Sequence, residues 1–275
     1  MIGPQGSGKT LDILTPALLS APGAALVTLT KPDDLYLSLS HRSGVGPVAV
    51  LDPFGLAPGL PSLVWDPIAG CADPLVAERR AKAFTAGTIK AGSASGRGDD
   101  AARFYATEAA KVIQSYFHAA ALAGGDLVLE WVASPLSTAE PEEILRQHPQ
   151  AAPFWHGLLT GALRGDDRTA GNTITTVQQA MSLFFQMEIR RRCVPSVGSP
   201  ATDFRQLLAN HGTVYMLGRE DPYASASPLM TAAAEHVLDT ALGLAHESPW
   251  GRLCVGAGRV AVDGAVADAA DEDGQ

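Results

Sequence analysis

The stretch Gly3-Pro4-Gln5-Gly6-Ser7-Gly8-Lys9-Thr10 constrains the fold of this chain more than any other part of its sequence. It fits the pattern G-x-x-x-x-G-K-[ST], in which glycines let backbone amides curl around a phosphate group. The helix expected after the loop adds the positive end of its dipole. In this reading Lys9 reaches the β- and γ-phosphates, and Thr10 offers a hydroxyl to Mg²⁺, which prefers oxygen ligands.

The motif therefore predicts a nucleotide site for ATP and Mg²⁺. Its predicted phosphate-binding residues are Gly3, Gly6, Ser7, Gly8, Lys9 and Thr10, with Thr10 as the metal ligand. The alternative is a flexible Gly/Ser turn without a ligand. A phosphate loop normally follows a buried parallel strand, yet only Met1 and Ile2 precede Gly3. We therefore expect a first strand that is absent or truncated, in a fragment or in a chain whose start lies inside a longer gene product.

Apolar runs alternate with helical patterns after the loop. A helix is expected over residues 9–19, which Pro16 should kink or end. Residues 24–30 then predict a buried strand, residues 31–39 a short helix, and residues 48–51 another strand. Strand, helix and strand in this order are typical of an α/β fold with a parallel sheet.

Three polar residues at the ends of these strands are further site candidates, because ligands bind at the carboxyl edge of such sheets. Thr30 ends the first run, Lys31 follows it, and Asp52 follows the second. Lys31 and Asp52 each have an ordinary structural interpretation. Lys31 fits a solvated turn, and Asp52-Pro53 fits a turn that caps its strand. The functional interpretation places both near the nucleotide, with Asp52 behind the Mg²⁺ ion.

The patterning divides the chain into four parts. Residues 1–73 predict the N-terminal part of a nucleotide-binding α/β core, and residues 74–208 predict an all-helical insertion. Residues 209–252 predict a return to the core, through a strand over 212–218 and a helix over 227–246. Residues 253–275 contain no aromatic residue and predict a disordered or aberrant tail. A reading-frame shift or premature end near Arg252 would explain that composition.

The sequence of residues 253–275 also determines which catalytic residues we expect. ATPases of this type carry an apolar strand that ends in Asp or Asp-Glu, the Walker B strand, which supplies a Mg²⁺ ligand and orients the attacking water. The nearest stretch here is Val260-Ala261-Val262-Asp263, which is short and continues into Gly264. We therefore expect the Walker B strand to be missing, the catalytic residues to remain unidentified, and hydrolysis to be impaired.

Composition narrows the protein class. With 46% hydrophobic and 18% charged residues among 275, the chain has the composition of a globular protein, and its net charge of −9 gives nucleic-acid binding no general support. Cys71, Cys193 and Cys254 lack metal or disulfide spacing. No signal peptide or apolar span of membrane length is present, so a cytoplasmic location is expected.

Two clusters of side chains in the predicted helical insertion have a second interpretation, as contacts to nucleic acid. Aromatic residues at helical spacing fit core packing better than a platform for stacked bases: Phe104, Tyr105, Tyr116, Phe117, Phe184 and Phe185. The basic run Arg190-Arg191-Arg192 fits a solvated helix end that complements the helix dipole better than a phosphate contact.

Six short sequence segments follow one another along the chain in an order that indicates a family: GPQGSGKT, TPALL, ALVTLTKPDDLY, VAVLDPFG, WDPIAG and VYMLGREDPYASASPLMTAAAEHVLDTA. Together they resemble the coupling proteins of conjugative DNA transfer and type IV secretion, the TraG/TraD type, over about residues 2–250. Only the phosphate loop is a sharp match. The chain departs from the family in lacking membrane helices, a complete first strand and the acidic strand.

This resemblance implies a RecA-like P-loop NTPase sheet with an inserted all-helical subdomain. It also implies a homo-hexameric, DNA-translocating ATPase held at the inner membrane, whose partners are single-stranded DNA or a relaxase–DNA complex and the secretion channel. An alternative is a non-catalytic remnant that docks relaxosome proteins or secretion substrates. Another P-loop family, such as a small kinase or a partitioning ATPase, is disfavoured by the long helical segment after the strand at 48–51.

Overall fold

The structure is a computed structural model that describes residues 13–89, 97–124, 128–196, 198–218, 225–247 and 253–257. Four strands form one parallel sheet: β1 (Ala24–Leu29), β2 (Val48–Leu51), β3 (Thr213–Leu217) and β4 (Leu253–Ala257). Their order across the sheet is β2-β3-β1-β4. Parallel strands are covered by helices on both faces, which is why these segments are runs of apolar residues. The predicted α/β class with a parallel sheet is confirmed.

Neighbouring strands end close to one another. Leu29 of β1 pairs with Leu217 of β3, and Leu51 of β2 pairs with Met216. Because all pairs are parallel, the carboxyl ends of the strands meet at a single edge of the sheet. Any ligand site built from strand ends therefore lies along that edge.

One face of the sheet is covered by two helices from the first 45 residues of the chain. These are α1 (Thr15–Ser20) and α2 (Pro32–Val45). Alternate residues of β1, among them Val27 and Leu29, share an apolar cluster with Leu18 of α1 and Leu35 of α2. This alternation of side chains between the two faces is the ordinary geometry of a strand.

Pro16, predicted to kink or end the helix, lies in the first turn of α1, directly after a π-helical turn at residues 13 and 14. An N–H is not needed in a first turn, so proline is tolerated there. The helix after β1 is also longer than the short element expected, since it continues to Val45.

Helices occupy the described chain between β2 and β3. In order they are α3 (Pro74–Ala86), α4 (Arg97–Ala123), α5 (Val128–Ala133), α6 (Glu140–Gln147), α7 (Trp155–Arg164), α8 (Asp167–Met181), a short 3-10 turn (Ser182–Phe185), α9 (Met187–Cys193) and α10 (Phe204–Ala209). The long α4 packs against α3, α6, α7 and α8. After β3, α11 (Ser227–Glu247) packs on α3. The division of the chain into four parts stays a prediction.

The chain between β2 and α3 stays close to the edge of the sheet. Ser62 forms a parallel bridge with Val50 of β2, where the Leu63 amide donates to the Val50 carbonyl at 2.8 Å. Trp65, two residues after Leu63, is buried, and its ring stacks on that of Phe84 in α3 with the ring centroids 5.9 Å apart. The segment after β2, which was predicted to be a loop leaving the core, is thus hydrogen-bonded to β2 at Leu63 and packed on α3 through Trp65.

The expectation of a disordered segment beginning at residue 253 was wrong for residues 253–257. They form β4, which pairs with β1 in parallel register, Leu253 opposite Ala24 and Ala257 opposite Thr28. A strand is therefore present where a tail was expected, and the expectation of a missing Walker B strand stays a prediction. The five residues of β4 carry too weak a pattern to stand out in the sequence, and backbone hydrogen bonds to β1 define the strand. Residues 258–275 lie outside the described residues.

Candidate functional site

The predicted phosphate-binding residues, Gly3, Gly6, Ser7, Gly8, Lys9 and Thr10, lie outside the described residues. The elements on the C-terminal side of the motif are described. Residues 13–20 form the π turn and α1, which contacts α2, and the chain then turns at Ala21 into β1. A helix after the motif and a parallel strand after the helix are the elements that a phosphate loop requires on that side.

The carboxyl edge of the sheet is the candidate site. Thr30, Asp52 and Gly218 each follow the last residue of a strand there, and the Gly218 amide donates to the Leu29 carbonyl at 2.9 Å. This hydrogen bond extends the pairing of β1 and β3 to the end of both strands. The sequence prediction that Asp52 and the residues after β1 lie along one edge agrees with this geometry.

Lys31 lies at the N-terminus of α2, directly after β1. Its backbone is extended (φ −128°, ψ 135°) and its side chain is exposed. Because β4 lies beside β1, Lys31 follows a strand that directly neighbours β4. The Lys31 side chain is thus solvated, at a position that follows the strand paired with β4.

Asp52 acts as the cap of its own turn. Its Oδ2 accepts a hydrogen bond from the Ala57 amide at 2.7 Å, and the Gly55 amide donates to the Asp52 carbonyl at 3.4 Å. The Oδ1 atom is buried and has no partner among the described residues. Asp52 follows β2, three strand positions from β4, a separation of about 14 Å at roughly 4.8 Å per strand. These hydrogen bonds fit the turn interpretation of Asp52, and a place for it near the Mg²⁺ ion stays a prediction.

A basic residue from α9 packs on the same turn. The Arg192 guanidinium lies so close to Gly55 that a Cβ there would fall 1.9 Å from Nη1, and Gly55 has a φ of +67°. The Ser62 hydroxyl donates to the Arg192 carbonyl at 3.2 Å, and the Trp65 amide donates to the Cys193 carbonyl at 2.7 Å. Sequence reasoning missed this contact, because its two sides lie far apart in the chain.

Arg191 of the basic run matches the ordinary interpretation of a solvated helix end. Arg191 forms an ion pair with Glu188 at 3.1 Å, and both side chains are largely exposed. Beside them, burial and then the Asp52 carboxylate raise the pKa of the Cys193 thiol to about 12. Cys193 is therefore a protonated core residue at neutral pH and is no nucleophile.

The aromatic residues divide between core and surface. Tyr116, Phe117 and Phe184 are buried, as core packing predicts, and Phe84 contacts both Phe117 and Phe184. Phe104 and Phe185 are about half exposed. The buried members are inaccessible to nucleic-acid bases, so the platform of six rings considered as an alternative does not exist in this arrangement.

Among the described residues, no group of three or more His, Cys, Asp or Glu side chains could hold a metal ion. The sequence after β4 continues with Gly258 and Arg259, so the end of that strand does not carry the Asp or Asp-Glu pair expected of a Walker B strand. None of the helices in the described ranges has the length and apolar character needed to cross a membrane.

Solved structures share this fold. The chain is similar to the bacterial conjugative coupling protein TrwBdeltaN70 in its unbound monoclinic form, with a TM-score of 0.50 and 16% identity over 85% of this chain and 54% of that one. It matches the plasmid coupling protein TrwB, in complex with the non-hydrolysable GTP analogue GDPNP, with the same TM-score and identity over 85% of this chain and 56% of that one. The chain thus spans about half the length of these structures.

No protein-family profile and no curated protein sequence matches the chain. At 16% identity, the structural likeness concerns the fold. It confirms, at that level, the resemblance to coupling proteins and the RecA-like type of sheet expected from the order of sequence phrases.

Proposed function

We propose that this chain forms the nucleotide-binding domain of a DNA-translocating motor of the coupling-protein type, and that it binds ATP with Mg²⁺. The observation that carries the proposal is the phosphate-loop sequence ending at Thr10, placed shortly before α1 and β1 in a sheet with the coupling-protein fold. The TrwB complex with GDPNP supports a nucleotide ligand for this fold.

Each residue of the loop has a distinct role in this proposal. Backbone amides of Gly6, Ser7 and Gly8 surround the phosphates, and Gly3 permits the turn that starts the loop. The Lys9 ammonium neutralises the β- and γ-phosphates, and the Thr10 hydroxyl is a Mg²⁺ ligand. Lys31, solvated and following the strand paired with β4, is the better candidate for a supporting contact near the nucleotide, while Asp52 serves the turn after β2.

Hydrolysis is expected to be weak. Phosphoryl transfer depends on electrostatic stabilisation and on a positioned water, and removing one such group typically lowers the rate by about 100- to 1,000-fold. The sequence after β4 continues with Gly258 and Arg259, so this strand supplies no carboxylate at its end, and the predicted lack of a Walker B strand accounts for the impairment.

The partners follow from the coupling-protein interpretation. They are single-stranded DNA or a relaxase–DNA complex and the type IV secretion channel, with a homo-hexamer as the working assembly. The net charge of −9 limits DNA binding to local basic surface. Phosphate contacts of that kind make the affinity fall steeply with salt concentration, which is the property to measure.

Nucleotide binding is tested by titrating the protein with fluorescent N-methylanthraniloyl ATP and GTP, with and without Mg²⁺. We expect saturable, Mg²⁺-enhanced binding of the adenine nucleotide. Lys9→Ala should weaken it at least 10-fold, because one cationic phosphate contact is lost. The matched control is Arg168→Ala, which removes an exposed positive charge from α8 and should leave the affinity unchanged. Equal affinity of Lys9→Ala and the parent would overturn the proposed site.

Phosphate release under saturating ATP separates the two interpretations that remain. Binding with little turnover supports a motor domain impaired at β4. No nucleotide binding, unchanged by Lys9→Ala, supports the alternative of a non-catalytic docking module for relaxosome proteins or secretion substrates. That alternative draws on the packing of helices α3 to α8, whose residues belong to the main apolar core. Rapid turnover would contradict the predicted impairment.

A further inference from the structure

A groove with a volume of about 260 Å³ lies between α3 and α11. It is smaller than the roughly 300–1,000 Å³ typical of sites for drug-sized ligands, so it suits a small molecule. Of the residues that line it, Arg79 and Asp239 are exposed, and Glu235 and His236 are half-buried, so a ligand can reach them from solvent. None of these residues belongs to the proposed nucleotide site.

The two helices bring opposite charges to the groove. Arg79 and Arg80 line it from α3, and Glu235 and Asp239 line it from α11. The formal charges of these four side chains sum to zero. His236, which also lines the groove, adds none, because burial, followed by the nearby Arg80, lowers its pKa to about 4. A groove with positive charge on one wall and negative charge on the other favours a ligand that carries both signs.

The Glu235 carboxyl group lacks a partner among the described residues, where it forms neither a hydrogen bond nor an ion pair. Burial, and then the Asp239 carboxylate, raise the pKa of Glu235. Arg79 and Arg80 act on that pKa in the opposite direction, so their charges lie near Glu235 without forming an ion pair with it. A half-buried carboxyl group in this position gains from a ligand that brings it a charged N–H donor.

The two arginines differ in what they offer a ligand. Arg80 is buried: its Nη1 donates to the Pro67 carbonyl at 2.8 Å, and its guanidinium carbon lies 5.0 Å from the centre of the Trp65 ring. It therefore contributes charge rather than contact surface. Arg79 is exposed and pairs with Asp239 at 3.4 Å. Because exposed ion pairs are weak, Arg79 can turn to an anionic group of a ligand at little cost.

His236 connects the groove to Trp65. Its Nδ1 accepts the Trp65 indole N–H at 2.8 Å, so the neutral ring carries its hydrogen on Nε2. Among the described residues, that hydrogen has no acceptor. A ligand in the groove therefore changes the surroundings of the His236 ring, and the Trp65 indole N–H senses the change through its hydrogen bond.

We propose that the groove between α3 and α11 binds a short zwitterion whose two charges are a few carbons apart, as in an ω-amino acid. The carboxylate of the ligand pairs with Arg79, its ammonium group pairs with Glu235, and the carbon chain crosses the groove. Arg79 and Glu235 lie on different helices and do not pair with each other. A ligand with adjacent charges, such as an α-amino acid, therefore spans them less well.

Three compounds with the same carbon chain and different charges test the site: γ-aminobutyrate, butyrate and butylamine. The Trp65 indole signal in ¹H–¹⁵N spectra reports occupancy, and the indole signal of Trp131, which is buried among other helices, is the internal reference. We expect γ-aminobutyrate to shift the Trp65 signal saturably. Its affinity should be about 10-fold above that of either analogue, because each analogue lacks one charge-assisted hydrogen bond.

Two substitutions separate the two contacts. In Glu235→Gln, γ-aminobutyrate should bind no better than butyrate, and in Arg79→Gln it should bind no better than butylamine. The matched controls are Glu188→Gln and Arg191→Gln, which remove the same charges from an exposed ion pair on α9 and should leave both preferences unchanged.

Three results would overturn the proposal: equal affinities of the parent protein for the three compounds, a preference for γ-aminobutyrate that survives both groove substitutions, or no saturable shift of the Trp65 signal. The titrations contain no nucleotide, so failure of this site and failure of the phosphate loop are read separately.

Discussion

Arg42 of α2 is a fully buried cation that joins α2 to the start of the sheet. Its Nε donates to Thr213 Oγ1 at 2.8 Å, and its Nη1 donates to the Ala21 carbonyl at 2.7 Å. Its Nη2 donates to the carbonyls of Gly23 at 2.6 Å and His211 at 3.4 Å. These acceptors precede or begin β1 and β3, so one side chain fixes the entry of both strands.

Arg42→Met should therefore lower the free energy of unfolding by about 3 to 5 kcal/mol. The reason is that several buried oxygens lose their donor, and each unsatisfied buried polar group costs roughly 1–3 kcal/mol. Urea unfolding followed by circular dichroism measures the change. The exposed Arg168→Met is the control and should stay within about 0.5 kcal/mol of the parent. A similarly small change for Arg42→Met would show that the network is unimportant.

His236 of α11 is a half-buried histidine held in its neutral form. Its Nδ1 accepts the Trp65 indole N–H at 2.8 Å. Burial, followed by the nearby Arg80, lowers the pKa of His236 to about 4. His118 of α4 is similar, since its Nε2 accepts the Ala152 amide at 3.0 Å and burial lowers its pKa.

These histidines predict that stability falls with acidification. Below an unfolded pKa of about 6.5, the unfolded chain binds protons that the folded chain excludes, so unfolding becomes more favourable as the pH falls towards 4. Denaturant midpoints at pH 7.5, 6 and 5 measure the slope. His236→Gln should be less stable at pH 7.5 and should depend less on pH. Parallel pH profiles for the variant and the parent would refute this assignment.

At the scale of elements, the contact between α3 and α11 depends on a glycine. A Cβ on Gly87, at the end of α3, would lie 2.4 Å from Pro228 Cα. Elsewhere along the pair, Arg79 and Asp239 form a largely exposed ion pair at 3.4 Å. Exposed pairs contribute little to stability. Close approach of the two backbones at Gly87 is therefore the stronger constraint on how these helices pack.

Gly87→Ala should destabilise the protein by about 1 to 3 kcal/mol, because backbone atoms must move to admit the methyl group. Gly157→Ala on α7 is the matched control, since a Cβ there has no atom within 4 Å. Alanine is a better helix former than glycine, so that control should be more stable by about 0.5 to 1 kcal/mol. Thermal melts of the two variants compare them directly. The same sign for both changes would contradict the packing described.

At the scale of the whole molecule, the sheet and the helices share one apolar core. Leu26 and Met216 of the sheet belong to the same buried cluster as Phe84 of α3 and Phe117 of α4. Trp65 lies at this junction, and Trp131 of α5 lies deeper among the helices, in contact with the ring of Tyr116 at 5.7 Å. A continuous core of this kind favours cooperative unfolding.

We expect the regions around Trp65 and Trp131 to unfold together in a single transition. Variants that retain only Trp65 or only Trp131, with the other tryptophans replaced by phenylalanine, report each region separately by fluorescence. Each variant is compared with its own far-UV circular dichroism curve, because the replacements alter overall stability. Within each variant the two probes should give the same urea midpoint. A fluorescence transition that precedes the dichroism transition would show that the regions unfold independently.

Sequence patterns predicted the local elements of the fold well. The runs that became β1, β2 and β3 are apolar over most of their length, because strands covered on both faces have no polar side. The aromatic residues Tyr116 and Phe117 were likewise assigned to the core from helical spacing. β4 was missed because its five residues carry little pattern of their own, and its hydrogen bonds to β1 define it. The length of α2 was underestimated, since no local residue stops the helix before Gly46.

The sequence by itself determined the phosphate-loop motif, the parallel α/β class and the helical character of the middle of the chain, because each is written in consecutive residues. Tertiary structure decided the strand order, which separates Asp52 from β4, and the packing of Arg192 on Gly55. These features join residues far apart in the chain, so they depend on which surfaces meet once the core is packed.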